Sequence, residues 1–214
     1  MSDGVNARRT YNSERRQEQA RQTRRAVLTA AQRLFAADGY AATTISAVAA
    51  EAGVSVETVY KAFGNKPALV KAAFDVAVVG DDEPVPMLQR EFVRRGMAEP
   101  DPRKKLAAYG DHVAEVGART GAILLAVRAA AATDPGAADV WQELQTERLT
   151  GMTAFARHLH DGGFLRDDVS VNEARDVLWT HNSVELWDLL VNQRSWAKRR
   201  FGRWVAQQLT AALL

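Results

Sequence analysis

The stretch Thr43–Lys66 reads TTISAVAAEAGVSVETVYKAFGNK and decides what this chain folds into. Ala49, Gly53 and Val59 stand at positions i, i+4 and i+10, a spacing typical of two short helices joined by a tight turn. The small Ala49 lets the second helix come close, Gly53 suits a left-handed turn residue, and Val59 can pack back onto the first helix. The pattern predicts a helix-turn-helix whose second helix can enter the major groove of DNA.

The outer side of this second helix holds the side chains that could contact DNA. Hydroxyl groups bond phosphates or base edges, Val56 can touch a thymine methyl, and lysines suit phosphates. Glu57 is an unusual neighbour for a phosphate, and it either accepts from cytosine N4 or supports the helix dipole. A plain helical corner inside a core is the alternative reading of the same spacing. The predicted contact residues are Ser55, Val56, Glu57, Thr58, Tyr60, Lys61 and Lys66.

Charge is distributed unevenly along the 214 residues, although the net charge is only +2. Residues 1–78 carry 11 basic and 7 acidic side chains, and the first 25 residues alone hold seven arginines. Such asymmetry indicates a polyanionic partner at the basic end of a chain, and a solvated tail without a function is the alternative. The chain has no cysteine, which excludes disulfides and Cys-ligated metal, suits a reducing cytosol, and favours a cytoplasmic protein.

Helical spacing and capping residues recur along the chain, whereas the alternation typical of strands does not. Thr44, Ser55 and Asn65 are predicted helix caps, and the acidic segment Asp81–Pro86 with its two prolines marks a boundary. Asp101 and Asp134 each precede a proline at a first helical position. We therefore predict an all-α fold with a disordered basic arm over 1–12, a three-helix DNA-binding domain over 13–65 and a helical ligand-binding and dimerisation domain over 66–214. The last two helices are predicted over 171–193 and 196–213.

The segment Ala26–Leu69 resembles the DNA-binding domain of the TetR family of bacterial repressors. The features that carry the likeness are Leu34-Phe35, Gly39-Tyr40, the helix-turn-helix itself and the stretch Thr58–Phe63. The resemblance implies a two-domain helical homodimer that binds DNA through its first three helices. It also implies DNA contacts by Thr44, Ser46, Val56, Glu57, Thr58, Tyr60 and Lys66. Ser46 and Ala62 depart from the longer side chains that many members carry there, so either the arm Arg8–Arg25 compensates or the operator is read differently.

The resemblance further implies a ligand pocket in the C-terminal domain and a dimer built on the last two helices. A dimer places two recognition helices in successive major grooves, which predicts a near-palindromic operator. No motif locates the pocket, so its candidates are the polar and aromatic residues on otherwise apolar helices. Each of them could instead be an ordinary core residue, and Arg128 could reach solvent or pair with an acid. They are Tyr109, His112, Arg128, Trp141, Met152, Phe155, Trp179 and Asn182.

The sequence therefore predicts a ligand-responsive regulator, most simply a repressor released from DNA by a small apolar or aromatic effector. The main alternative is a DNA-binding regulator that has no small-molecule effector and is constitutive or controlled by a partner. A helical enzyme is a remote alternative, because the chain lacks the phosphate-binding loops and the nucleophile elbow. His158 and His160 are two residues apart and point to different helix faces, so we expect no metal site, and we expect no cofactor.

Overall fold

The computed structural model describes residues 3–83, 85 and 87–214, with side chains from Arg15 onwards except Leu88. These residues form helices and no strand, as predicted. A 3-10 turn at Met87–Gln89 follows α4, and a π-helical segment at Asp188–Gln193 continues α9. The helices are α1 Asp3–Ala42, α2 Ile45–Ala52, α3 Val56–Phe63, α4 Lys66–Val79, α5 Glu91–Ala98, α6 Pro102–Ala130, α7 Pro135–Asp161, α8 Val171–His181, α9 Val184–Trp187 and α10 Lys198–Leu213.

Side-chain caps begin the three helices that follow α1, as the sequence predicts. The Thr44 hydroxyl accepts from Ala47 N at 3.0 Å, and the Ser55 hydroxyl accepts from Thr58 N at 3.1 Å. The Asn65 side chain caps α4 in the same way. These bonds satisfy amide groups that have no partner inside a first helical turn. The start of α3, which carries the predicted DNA contacts, is therefore set by local sequence.

The turn between α2 and α3 has the geometry that the spacing predicts. Gly53 adopts φ 67° and ψ 32°, a left-handed conformation that strains residues with a Cβ. Its amide and that of Val54 close the end of α2 by bonding Ala50 O and Ala49 O. Val59 is 0% exposed and Ala49 is 1% exposed, and both belong to the same hydrophobic core. The two helices are therefore held together on one side and exposed on the other.

The N-terminal helix differs from the prediction at its start. Met1 and Ser2 of the predicted disordered arm 1–12 lie outside the described residues, whereas residues 3–12 are helical and continue into α1. Extending an existing helix costs much less than nucleating a new one, so the helix over the core-bound part of α1 propagates into this segment. The expectation of disorder was wrong for those residues. Gly39, at φ 81° and ψ 171°, interrupts the helical conformation of α1 near its C-terminal end.

The helix α4 is bound to both halves of the chain. Arg119 of α6 donates from Nε to Ala77 O and from Nη2 to Val78 O, both at 2.7 Å, and so caps the last turn of α4. At the other end, α7 begins beside Pro67, because a Cβ on Gly136 would lie 2.6 Å from Pro67 Cγ. A movement of α6 therefore acts on the C-terminal end of α4, and a movement of α7 acts on its N-terminal end.

Two hydrophobic cores divide the molecule, and neither ends at the predicted boundary between residues 65 and 66. The first core joins α1–α4 to the C-terminal half of α6 and the N-terminal half of α7. The second core lies among the remaining parts of α6 and α7, together with α8 and α10. Two ion pairs hold the predicted boundary segment after α4. Arg24 of α1 pairs with Asp82 at 2.9 Å, and Arg90, just before α5, pairs with Asp81 at 2.7 Å. Pro84 and Pro86 lie outside the described residues.

The predicted helix over 171–193 is interrupted, which corrects that expectation. Asn182 ends α8, and Ser183 takes an extended conformation and caps α9 by accepting from Leu186 N at 3.4 Å. A serine whose hydroxyl competes for backbone amides favours such a new start over a continuous helix. The final helix starts at Lys198 rather than 196, after Ser195 at φ 53°. None of the helices described is long and apolar enough to cross a membrane.

Helices α6 and α10 cross at two glycines, which allow the backbones to touch. A Cβ on Gly110 would lie 2.4 Å from the carbonyl oxygen of Gly202 and 3.0 Å from the Ala206 Cβ. Such a contact is too short for any real carbon atom, so a side chain here would force the two helices apart. The crossing therefore depends on the absence of a side chain at Gly110.

We predict that Gly110→Ala lowers the free energy of unfolding by about 1–3 kcal/mol, because the added methyl overpacks the crossing. The matched control is Gly151→Ala in α7, where nothing lies within 4 Å of the added Cβ. That control should raise stability by about 0.5–1 kcal/mol, since alanine restricts the unfolded chain. Urea unfolding followed by circular dichroism measures both changes, and an equal effect of the two substitutions would contradict the crossing geometry.

Candidate DNA interface and ligand region

The outer face of α3 is exposed over its whole length. Tyr60 is 51% exposed and Val56 is 38% exposed, which is unusual for large apolar side chains, whereas their neighbour Val59 is fully buried. Ser55, Glu57 and Lys61 are also exposed, and Thr58 is half-buried. An exposed aromatic ring among hydroxyl and charged groups can contact base edges and phosphates together. The structure thus places the predicted residues of α3 on one accessible face.

Hydroxyl groups near this face already serve as helix caps. Thr44 and Ser46 lie exposed at the start of α2, and Thr44 caps that helix. Ser55 caps α3, and its Oγ also lies 2.8 Å from the Thr58 Oγ1. A hydroxyl that accepts from an amide can still donate its own hydrogen to a phosphate oxygen. Capping by Thr44 and Ser55 therefore holds these donors in place and leaves them able to bind DNA.

The predicted phosphate contact Lys66 lies apart from the α3 face. Its Nζ donates to Ala41 O at 3.3 Å and lies 4.3 Å from the centre of the Tyr40 ring. Burial lowers the pKa of this ammonium, and Asp134 partly opposes that change. Lys66 thus joins the end of α1 to the start of α4, so its replacement should lower stability as well as any DNA affinity.

Residues of α1 that belong to the predicted arm Arg8–Arg25 lie beside this surface. A hollow of about 350 Å³ separates α1 from α3 and is lined by Arg16, Thr23 and Arg24 on one side and Thr58 and Lys61 on the other. Arg24 is committed to Asp82 and lies over the Phe63 ring at 4.8 Å. The spacing of Arg16, Gln19, Thr23 and Val27 along one helical face could have identified this side of α1.

Four of the predicted ligand residues meet in the C-terminal half. The Tyr109 hydroxyl donates to the Met152 sulfur at 2.9 Å, and the Asn182 amide approaches the same sulfur at 3.6 Å. The rings of Tyr109 and Phe155 lie 4.9 Å apart. Burial raises the pKa of the Tyr109 hydroxyl, partly offset by the Asn182 amide and by Arg148. We call Tyr109, Met152, Phe155 and Asn182 the Tyr109 cluster.

A fifth predicted residue, Trp179, borders the Tyr109 cluster through an arginine that the sequence reasoning did not select. The Arg148 guanidinium lies 4.3 Å from the Trp179 ring centre and donates from Nη1 to Trp179 O at 2.5 Å. Arg148, Met152 and Phe155 stand at i, i+4 and i+7 of α7, so they share one helix face. That spacing was the signal by which Arg148 could have been found.

The other three predicted ligand residues lie elsewhere. Arg128 pairs with Glu185 at 3.0 Å and lies 5.9 Å from the centre of the Trp141 ring. This ion pair agrees with the alternative that Arg128 pairs with an acid instead of contacting a ligand. His112 stacks on Phe92 of α5 with ring centres 4.6 Å apart. The hollow beside α1 and a second one of about 720 Å³ along α5 are lined by none of the eight predicted ligand residues.

The comparisons with known proteins agree with this geometry. Residues 27–73 match the family model described as bacterial regulatory proteins, tetR family, and the match spans α2, α3 and the first half of α4. Over these residues the chain is similar to the DNA-binding domain of TetR-family regulators. The exposed α3 face lies inside the matched region. A search of the curated proteins found no match.

Solved structures of TetR-family proteins share the fold over most of their length. A putative TetR-family transcriptional regulator from Rhodococcus sp. aligns with a TM-score of 0.71 at 15% identity, covering 90% of this chain and 99% of that one. The fatty acid degradation regulator FadR from Bacillus halodurans aligns with a TM-score of 0.69 at 18% identity, covering 88% and 98%. FadR from Bacillus subtilis, in complex with stearoyl-CoA, aligns with a TM-score of 0.67 at 17% identity, covering 88% and 98%.

We predict that Tyr60→Ala weakens operator binding about tenfold or more and leaves the melting temperature nearly unchanged, because the ring is exposed. Lys61→Ala should weaken binding and reduce the slope of log affinity against log salt by about one, as expected for one lost phosphate contact. Fluorescence anisotropy with labelled duplex measures both effects. The exposed Lys104→Ala at the start of α6 is the control, and an equal loss in that variant would contradict the α3 face.

We predict that His112 makes the protein less stable in acid. Burial, and then the nearby Arg119 cation, lowers the pKa of His112 to about 4 from an ordinary 6.5. The unfolded chain therefore binds this proton first, and stability is lost as the pH falls from about 6.5 to about 4. His112→Gln should reduce that loss by about 1–3 kcal/mol in urea titrations across this pH range. If the loss of stability between these pH values is as large in His112→Gln as in the parent protein, the assignment to His112 fails.

Proposed function

We propose that this protein is a TetR-family repressor that binds a near-palindromic operator as a homodimer and is released by a small, largely apolar or aromatic effector. The observation that carries the proposal is the exposed α3 face, where Tyr60 and Val56 project beside a fully buried Val59. Val56 and Tyr60 belong to neither hydrophobic core of the described residues, and the major groove of DNA is wide enough to admit an α-helix. Ser55, Glu57, Thr58 and Lys61 surround it with polar groups, while Thr44 and Ser46 flank it.

The dimer is supported by apolar side chains that the monomer leaves uncovered. Leu189, in the segment that continues α9, is 49% exposed, and Leu149 of α7 is 39% exposed. We assign the dimer contact to α8, α9 and α10, as the family resemblance implies. A two-fold axis through these helices would place the two α3 helices about 34–36 Å apart, one turn of the DNA duplex. The operator half-sites are then related by the same axis.

Release by an effector is supported by the contacts of α4. The Tyr109 cluster lies on α6, α7 and α8, and α6 also carries Arg119, which caps the last turn of α4. Tyr109 and Arg119 are ten residues apart on one helix, about 15 Å along its axis. A ligand that binds better when α6 is displaced shifts the population towards a spacing of the α3 helices that does not fit DNA. The stearoyl-CoA bound to FadR of Bacillus subtilis shows that this fold can hold a ligand with a long apolar part.

A regulator without a small-molecule effector is the second candidate. It is favoured by the direct packing inside the Tyr109 cluster, where the Tyr109 hydroxyl contacts Met152 at 2.9 Å. In that case α5 and the hollow along it could receive a partner protein. The two candidates differ in whether a small molecule alone can release the operator.

The test is selection of bound duplexes from random DNA, with Tyr60→Ala as the control protein. We expect enrichment of a near-palindrome whose half-sites are separated by about one helical turn, and no enrichment with the control. The selected duplex is then used in anisotropy titrations against a library of lipophilic aromatic compounds, with tryptophan fluorescence as an independent readout of binding. An asymmetric selected site would contradict the dimer, and failure of the whole library to release the duplex would favour the second candidate.

A further inference from the structure

Several strong hydrogen-bond donors in and beside the Tyr109 cluster lack a strong acceptor. Some of them approach only a weak acceptor, and others have no acceptor among the described residues. Tyr109 and Asn182 both direct their donors at the Met152 sulfur, at 2.9 and 3.6 Å. A thioether accepts hydrogen bonds only weakly. Next to them, Trp179 Nε1 and Arg148 Nε are buried and have no partner among the described residues. Buried donors in this state favour a group that brings several strong acceptors.

Beside these donors lies a positive charge that takes part in no ion pair of the described residues. Among the ion pairs of the described residues, none involves Arg148, whose Nη atoms bond the Trp179 carbonyl and the Gln145 side chain at 2.5 and 2.7 Å. Burial lowers the pKa of its guanidinium, although an arginine remains charged in proteins. A partly buried guanidinium that bonds only neutral groups is suited to receive an anion.

Glu185 could have neutralised Arg148 and does not do so directly. Its Oε1 pairs with Arg128 Nη1 at 3.0 Å, and it acts on Arg148 only as a more distant charge. The two arginines in this part of the domain therefore differ. Arg128 is paired with an acid and 48% exposed at its side chain, whereas Arg148 lies against Trp179. Arg148 is thus the cation that a ligand can use.

The surroundings of Arg148 restrict the rest of the ligand. Met152 and Phe155 extend the same face of α7, and the Trp179 ring lies over the guanidinium. These side chains offer apolar and aromatic surface next to the donors. A molecule with one anionic end and an apolar body would match both, with its acceptors at Arg148 and its body along Phe155.

We propose that Arg148, together with the donors of Tyr109 and Asn182, binds the carboxylate of an amphiphilic organic acid that is the effector of this regulator. The guanidinium fork matches the two carboxylate oxygens. The inference rests on the proposed ligand-controlled function and adds the chemical class of the ligand. Met152, as a flexible side chain, has to give up its bond with Tyr109 when the acid enters.

The experiment uses the full chain without DNA and compares matched acids and alcohols. The probes are dodecanoate with 1-dodecanol, and 2-naphthoate with 2-naphthol, each below any micelle-forming concentration. Binding is followed by tryptophan fluorescence, because Trp179 lies at the site, and by the rise in melting temperature that a ligand of the folded state produces. We expect at least one acid to bind, and to bind at least about tenfold more tightly than its alcohol. The arm that responds distinguishes a fatty acid from an aromatic acid.

Variants of Arg148 test the assignment to this residue. Arg148→Gln should weaken binding of the responding acid by about 10- to 100-fold and leave binding of the alcohol nearly unchanged. Arg148→Lys keeps the charge without the fork and should recover part of the affinity. The control is Arg157→Gln, at an exposed arginine on the same helix, which should bind the acid like the parent protein. If Arg148→Gln fails to fold, the inference is still tested by two measurements. These are the comparison of acid with alcohol on the parent protein and the affinity of the Arg148→Lys variant for the acid.

Equal binding of acid and alcohol, loss of acid binding in the Arg157 control alone, or no binding of either acid would overturn the inference. These results are separable from a failure of the proposed function, which is measured with operator DNA. If an acid binds through Arg148 but does not release the operator, the site is supported and the ligand switch is contradicted. If only neutral compounds release the operator, the switch is supported and the carboxylate site is contradicted.

Discussion

The buried contact between α2 and α3 is the constraint on which the rest of the structure depends. Val59 is the one fully buried residue of the short helix α3, and it lies in the same core as Ala49 of α2. An eight-residue helix is too short to be stable alone, so this packing, together with the Ser55 cap, keeps α3 folded. The left-handed Gly53 sets the angle between the two helices. With α3 held on one side only, its other side remains available for DNA.

The position of α3 relative to the rest of the chain is set through α4. Gly64 and Asn65 separate the two helices, so α4 begins directly after α3. Arg119 binds one end of α4, and Pro67 lies beside Gly136 of α7 at the other. The first hydrophobic core continues from α1–α4 into α6 and α7. A domain boundary drawn at residue 66 therefore describes the order of elements along the chain, while the packing couples both sides of it.

Similar residues have different roles in the C-terminal half because of what surrounds them. Arg128 and Arg148 both interrupt apolar helices, but Glu185 lies within reach of one and bonds it, leaving the other with neutral partners. His112 stacks on Phe92, while His158 Nε2 accepts a hydrogen bond from the buried Lys105 ammonium at 3.0 Å. Each difference is a matter of the neighbouring helix and not of the residue type. A pocket predicted from residue types alone therefore mixes the Tyr109 cluster with residues that lie apart from it.

The sequence alone determined the helical class, the caps at Thr44, Ser55 and Asn65, and the left-handed turn at Gly53, because these depend on residues within a few positions of each other. The sequence also identified which α3 side chains are exposed, since the helical period defines which of them share a face with the buried Val59 and which do not. Only the tertiary structure decided that Lys66 bonds the Ala41 carbonyl, that Glu185 forms its ion pair with Arg128, and that Arg148 lies beside the Tyr109 cluster. These contacts join residues that are distant along the chain, and spacing along a single helix carries no information about which face of another helix will lie opposite.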